Sequence, residues 1–152
     1  MNTVNQTKIT KAKEQQRDTI ISLLQTEKLP VEDLPASLDN FFVALEGDDV
    51  IGAIGLEQYE NCGLLRSMVV NKEFRNKNIA SGLVQALERK AIKLGIDCMY
   101  LLTETAARYF EQKGYERVSR DEVPKSIQAS SEFSTVCPVS AIVMKKHLHI
   151  YE

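Results

Sequence analysis

The chain has 152 residues, 43% of them apolar and 26% charged, which is the size and mix of one folded domain whose core needs neither disulfides nor a metal. Nineteen Lys and Arg against twenty-one Asp and Glu leave a net charge of −2, without a long block of one sign, and this argues against a nucleic acid or an anionic membrane as partner. The opening MNTVNQTKITKAKEQQ has neither a signal-peptide core nor a basic amphipathic pattern, and no run approaches the roughly 20 apolar residues that span a bilayer, so a cytoplasmic protein is expected.

KITKA reads as a first strand. EQQRDTIISLLQTEKL follows as a helix with Ile20, Leu23 and Leu24 on one apolar face, ended by Pro30. FFVALE and DVIGAIGLEQY flank Gly47-Asp48-Asp49, the turn chemistry of a β-hairpin. CGLLRSMVV is a further, nearly continuous apolar strand. After the polar loop NKEFRNKN, a helix starts near Ile79 and repeats Leu83, Leu87, Ala91 and Leu94 at helical spacing, with Gly95 as C-cap. IDCMYLL then completes a strand-helix-strand unit over residues 63 to 102, whose strands are expected to be parallel, joined right-handedly and buried on both faces. TETAARYFEQKGY reads as a short helix stopped at Gly114, and PVSAIVMKKHL as a last strand. Between them RVSRDEVPKSIQASSEFSTVC is too long for a simple connection, and insertions of that kind usually serve a purpose. The expectation is a single domain over residues 1–152 of class α/β (α+β): a mixed, mostly antiparallel twisted sheet around a central βαβ unit.

Cys62, Cys98 and Cys137 are odd in number and far apart, with no close pairing of the zinc or redox kind, so they are read as reduced thiols and no metal site is expected. His147 and His149 fall on one face of the last strand and are read as surface histidines.

MVVNKEFRNKNIASGL is the informative stretch. A buried strand gives way to a basic loop and a helix start, where N–H groups without helical partners carry partial positive charge and suit a pyrophosphate. Arg75 and Lys77 add full charges, and Asn78, Ala80, Ser81 and Gly82 are small or tolerant enough for a phosphate to approach the backbone.

Val70, Arg75, Asn78 and Ala80 resemble the coenzyme A signature of the GNAT (Gcn5-related N-acetyltransferase) superfamily: Arg or Gln, two residues, Gly, one residue, then Gly or Ala. Downstream, Ala106, Tyr109, Phe110 and the closing Gly114-Tyr115 resemble the family's following helix, and the element order agrees over roughly residues 7 to 147. The one departure in the loop is Asn78 for glycine, and Asn is the non-glycine residue most willing to take a left-handed backbone. The resemblance implies an acetyl-coenzyme A-dependent N-acetyltransferase with the GNAT fold, including a splayed parallel strand pair that takes the pantetheine arm in its gap. Coenzyme contacts are then implied for Met68, Val69 and Val70 on the strand, for Arg75, Asn76, Lys77, Asn78, Ile79, Ala80 and Ser81 along the loop and helix start, and for Phe110. The oxyanion donor maps to the backbone N–H of Met68 or its neighbour.

Amine acetylation also needs a base. Glu57, opposite in alternation to core-facing Leu56, is the best-placed carboxylate, acting through a water; Glu60 lies further into the turn and is the weaker candidate. Phe110 stands where the family often has a proton-donating tyrosine. Tyr109, about 100° away on a helix, does not inherit the role and is read as core packing. Arg66 interrupts an apolar strand and needs a partner. It either forms an internal ion pair, with Glu57 the candidate, or with Ser67 or Thr103 it grips an acid group on the acceptor.

LLRSMVV, LLTETAARYF and EVPKSIQASSEFSTVCPVSAIVMKK are more closely similar to the GNAT subgroup associated with arsenic resistance. This implies an amino-acid-like acceptor, including analogues with arsenic or phosphorus acids, and raises Cys137 as an arsenic contact, against the reading of a plain buried thiol. A glutamate-like amino acid N-acetyltransferase and a non-catalytic acyl-coenzyme A binding module are the rival readings. The resemblance leaves a homodimer open.

Overall fold

The computed structural model describes residues 7–29, 31, 34–75, 78–130, 133 and 141–148. Its strands are β1 (Thr7–Lys11), β2 (Phe41–Glu46), β3 (Asp49–Tyr59), β4 (Cys62–Val70), β5 (Cys98–Thr103), β6 (Glu116–Val118) and β7 (Ile142–His147). The helices are α1 (Arg17–Thr26), α2 (Ile79–Lys93), α3 (Ala107–Gln112) and α4 (Lys125–Gln128). The strands form one seven-stranded sheet in the order β1-β2-β3-β4-β5-β7-β6. It is mixed as expected: β4 pairs β5 in parallel, whereas β1 with β2, β2 with β3, β5 with β7 and β6 with β7 are antiparallel. Among the described residues no helix is long and apolar enough to cross a membrane.

The chain divides into two compact units, Met1–Gly55 with Ser67–Lys90, and Leu56–Arg66 with Ala91–Glu152. In the first, β2 and β3 form the expected hairpin, with Gly47 at φ +62° supplying the left-handed residue of its turn. α1 buries Ile20 and Leu24 completely, in one cluster with Phe41, Val43, Ala53 and Val69. Sealing a side chain of this size stabilises by about 1.5–3 kcal/mol. The helix stops at Thr26, ahead of the expected stop at Pro30, which lies outside the described residues. α2 buries Ile79, Leu83, Val84 and Leu87. A Cβ on Gly82 would stand 2.6 Å from Ile9 Cδ1, so this glycine serves the close approach of α2 to β1; the sequence reading had given it to phosphate access.

In the second unit the parallel pairing runs from Cys62↔Cys98 to Leu64↔Tyr100. Alternation puts Cys62, Leu64 and Arg66 on one face with Cys98 and Tyr100, and Gly63 and Met99 on the other. The first face is roofed by the insertion, because Val123, Ile127 and Phe133 form one buried cluster with Leu64, Cys98, Tyr100 and Val143. That stretch, read from sequence as an insertion too long for a simple connection and given no elements there, contains most of β6, a 3₁₀ turn at Arg120–Glu122 and α4.

Candidate functional site

The second unit holds a cluster of polar side chains under this roof. Arg66 is 2% exposed and donates from Nη1 to Glu57 Oε2, forming an ion pair in which the guanidinium side chain has no exposed surface and the carboxylate has 22%. The other oxygen, Glu57 Oε1, accepts from Tyr59 Oη at 2.5 Å. Burial, and then the hydrogen bond to Glu57, push the Tyr59 hydroxyl above the usual tyrosine range. Ser130, itself buried, also hydrogen-bonds Tyr59 and so ties the insertion to the cluster.

The sequence left two readings open for Arg66, and the structure shows the internal pair with Glu57. Its guanidinium side chain has no exposed surface and holds Glu57, and a role toward the acceptor would have to be played from within this pair. The proposed helper Thr103 is occupied locally, its Oγ1 accepting from the N–H of Ala106 at 2.9 Å at the entry to α3. Tyr59 was missed, although it stands two residues from Glu57 and alternation alone places both on one face of β3. Glu60 sits exposed in the β3–β4 turn at φ +60°. Phe110 is buried at 3% exposure and packs edge-on against Tyr109 and Tyr115, with ring centroids 5.3 Å and 5.4 Å away.

The first unit holds the turn between β4 and α2. Asn71 caps its 3₁₀ segment by accepting from the N–H of Glu73, Asn78 takes φ +62°, and Gly82 N–H closes the first helical bond onto Asn78 O at 3.1 Å. The left-handed backbone foreseen for Asn78 is therefore present. The N–H groups of Ile79 and Ala80, in the first turn of α2, have no acceptor within the helix. Arg75, half exposed, pairs with Glu27 Oε1 at 2.6 Å. Asn76 and Lys77 lie outside the described residues, as do Cys137 and His149.

Ser67 takes φ +55° inside β4, at the point where the chain passes from one unit to the other. A left-handed residue inside a strand departs from extended backbone and turns the next peptide unit, that of Met68, away from the regular strand direction. Burial follows suit, since Leu64, Leu65 and Arg66 are all buried while Ser67 and Met68 are half-buried. Nothing in the residue types announces this, because no glycine marks the position.

Comparison with known proteins agrees with this arrangement. The chain is 31% identical over 101 residues to an uncharacterised N-acetyltransferase of Chlorobaculum tepidum, covering 66% of this chain and 64% of that protein. It is 24% identical over 96 residues to an amino-acid acetyltransferase of Mannheimia succiniciproducens, covering 62% of this chain and 22% of the relative. The chain thus spans about a fifth of the one and under two thirds of the other. N-acetylglutamate synthase from Neisseria gonorrhoeae, solved with coenzyme A and N-acetyl-glutamate, superposes with a TM-score of 0.83 at 16% identity, over 97% of this chain and 36% of that one. Residues 37–117, just over half of the chain, match the family described as acetyltransferase (GNAT) domain. That span runs from β2 through β4, the Asn78 turn and α3, and the chain belongs to the GNAT acetyltransferase family.

Proposed function

We propose that this chain transfers an acetyl group from acetyl-coenzyme A to the amine of a small amino-acid-like acceptor, with Glu57 as the general base. The observation that carries the reading is the Glu57 carboxylate, fixed by Arg66 on one oxygen and Tyr59 on the other and still partly open to solvent. Each oxygen keeps a second lone pair, so the carboxylate can take a proton from the acceptor ammonium through one water. The neutral amine then attacks the thioester carbonyl, whose oxygen gains negative charge. The backbone N–H of Met68 or its neighbour, next to the left-handed Ser67, is the donor assigned to that oxygen. Phe110 offers no proton to the leaving sulfur, and a thiol with a pKa of about 8.5 departs as thiolate near neutral pH.

The donor's pyrophosphate is assigned to the Asn78 turn, where helix-start N–H groups and Arg75 supply positive charge. Asn76 and Lys77 belong to the same assignment. Pairing with Glu27 leaves Arg75 half exposed, and a surface pair of this kind, worth about 0–1 kcal/mol, yields readily to a phosphate. The amino-acid class of the acceptor rests on the names of the relatives, an amino-acid acetyltransferase and an N-acetylglutamate synthase. Acceptors with an arsenic or phosphorus acid belong to the same charge class and to the same test.

The deciding experiment offers acetyl-coenzyme A with a panel of amines and follows free thiol. The panel holds acidic and neutral amino acids and amino acid analogues with arsenic or phosphorus acids. Thiol release that depends on both chain and acceptor, strongest with an acidic amino acid, is expected. A raised melting temperature with coenzyme but no turnover on any amine would instead establish the binding-module reading, which Phe110 favours.

A further inference from the structure

Cys62 and Cys98, far apart in sequence, stand opposite each other in the parallel register of β4 and β5. Register partners project from the same face, here the face under the insertion. Cys98 is 6% exposed and Cys62 half-buried, so one thiol is sheltered and the other can be reached.

The spacing of the strands decides which chemistry this pair suits. Adjacent strands lie about 4.8 Å apart, whereas a disulfide asks for Cβ atoms about 3.8 Å apart and sulfurs about 2 Å apart. Two metal–thiolate bonds of roughly 2.3 Å placed end to end span about 4.6 Å, which is close to the strand spacing. Among the described residues no group of three or more His, Cys, Asp or Glu is placed to hold a metal, so they offer no four-ligand site of the zinc kind. Two thiolates alone match a soft ion content with two ligands, and thiolate is the ligand type that selects Cu(I).

We propose that Cys62 and Cys98 form a two-thiolate site for a soft monovalent cation of the Cu(I) class, bound between the two Sγ atoms. Each S–H gives its proton to solvent and each sulfur forms one bond to the metal, with no change of oxidation state. The bound unit carries one net negative charge. Lys145 is the neighbouring positive charge that offsets it, against Asp97, which acts on both thiols, and Glu60, which acts on Cys62. Both thiols must lose their protons to bind, so binding releases protons and strengthens as pH rises.

The reduced chain is titrated anaerobically with Cu(I) held by a chromophoric chelator. One copper withdrawn per chain is expected, with affinity lowered by about 100-fold or more in Cys62→Ser and equally in Cys98→Ala, and unchanged in Cys137→Ser. X-ray absorption at the copper edge should count two sulfurs. Because Cys62 is half-buried, Cys62→Ser should keep the melting curve of the parent, which separates loss of the site from loss of the fold. Withdrawal that survives either single variant, that disappears in Cys137→Ser, or that shows a third sulfur or half a copper per chain overturns the proposal.

Discussion

Arg66 has no exposed side-chain surface, whereas Arg75, before the Asn78 turn, is 49% exposed; their partners Glu57 and Glu27 are alike, at 22% and 20%. The two ion pairs look alike in distance and differ in what their loss should do. The difference lies in the arginines: without its carboxylate Arg66 is a buried charge with nothing to compensate it, while Arg75 stays half in water. The Glu57 region is thus specified by side chains that depend on one another, and the Asn78 region by backbone conformation, with side chains added at the surface. The sharpest way to break this contrast is Arg66→Ala. It should cost about 3 kcal/mol in denaturant unfolding, the lower end for a broken buried pair because Glu57 retains some contact with water. The double variant Arg66→Met with Glu57→Gln should recover most of that loss. An Arg66→Ala cost below about 1 kcal/mol would put this pair in the surface class. In turnover, a residue that holds Glu57 should lower kcat alike for acidic and neutral acceptors. A KM effect confined to acidic ones would restore the gripping role.

Glu57→Gln comes next: the amide can still accept from Tyr59, but the buried Arg66 charge loses its carboxylate, so unfolding is measured beside turnover and kcat is compared under conditions where the variant is folded. We expect kcat to fall by about 10²-fold, the range for a lost general base, with the coenzyme-induced melting shift intact. In the parent, kcat/KM should rise with pH to a plateau, since Phe110 gives no acid that must stay protonated. A bell-shaped profile whose alkaline limb vanishes in Tyr109→Phe would show that the neighbouring ring supplies the proton.

The same contrast explains what could be read in advance. β2, β3 and β4 begin and end where the sequence places them, because β-rich runs abut turn chemistry at Gly47 and at Glu60-Asn61. α2 starts at Ile79 as expected, with Asn78 left-handed before it. β6 and α4 were invisible, being three and four residues long and defined only by pairing to β7 and by packing on Leu64 and Tyr100. The Arg66–Glu57 pair was one of two readings, since charge demands a partner without naming it. Tyr59 was legible in principle, two residues along the strand from Glu57. Ser67 and the Cys62–Cys98 register were not, because a left-handed backbone at a non-glycine residue and the alignment of two distant strands are tertiary facts.

Tyr59→Phe tests the cluster more gently. An exposed tyrosine titrates near pH 10, and in the folded chain burial and the Glu57 hydrogen bond raise that value. The native state then keeps a proton that the unfolded chain loses, so stability is fully present below about pH 10 and falls as pH rises above it. Tyr59→Phe should flatten this fall in urea midpoints taken across pH 9 to 11, without abolishing it. Tyr100, whose hydroxyl is raised for the same first reason, burial, remains. If the slope is unchanged, Tyr59 reaches water more freely than its bond to Glu57 indicates.

The smallest effect belongs to the turn. Asn78 at φ +62° is exposed, and if the turn asks only for a left-handed backbone there, Asn78→Gly should leave stability within a few tenths of a kcal/mol. Asn78→Ala should lose about 1 kcal/mol, because a Cβ without a compensating polar group strains that conformation. The coenzyme-induced melting shift is then compared in both variants. A shift kept in Gly and weakened in Ala means that the side chain serves the backbone and that the helix-start N–H groups of Ile79 and Ala80 make the contact. A shift lost equally in both means that the Asn78 amide itself meets the phosphate. The turn would then be specified by a side chain, as the Glu57 cluster is, and the contrast between the two regions would collapse.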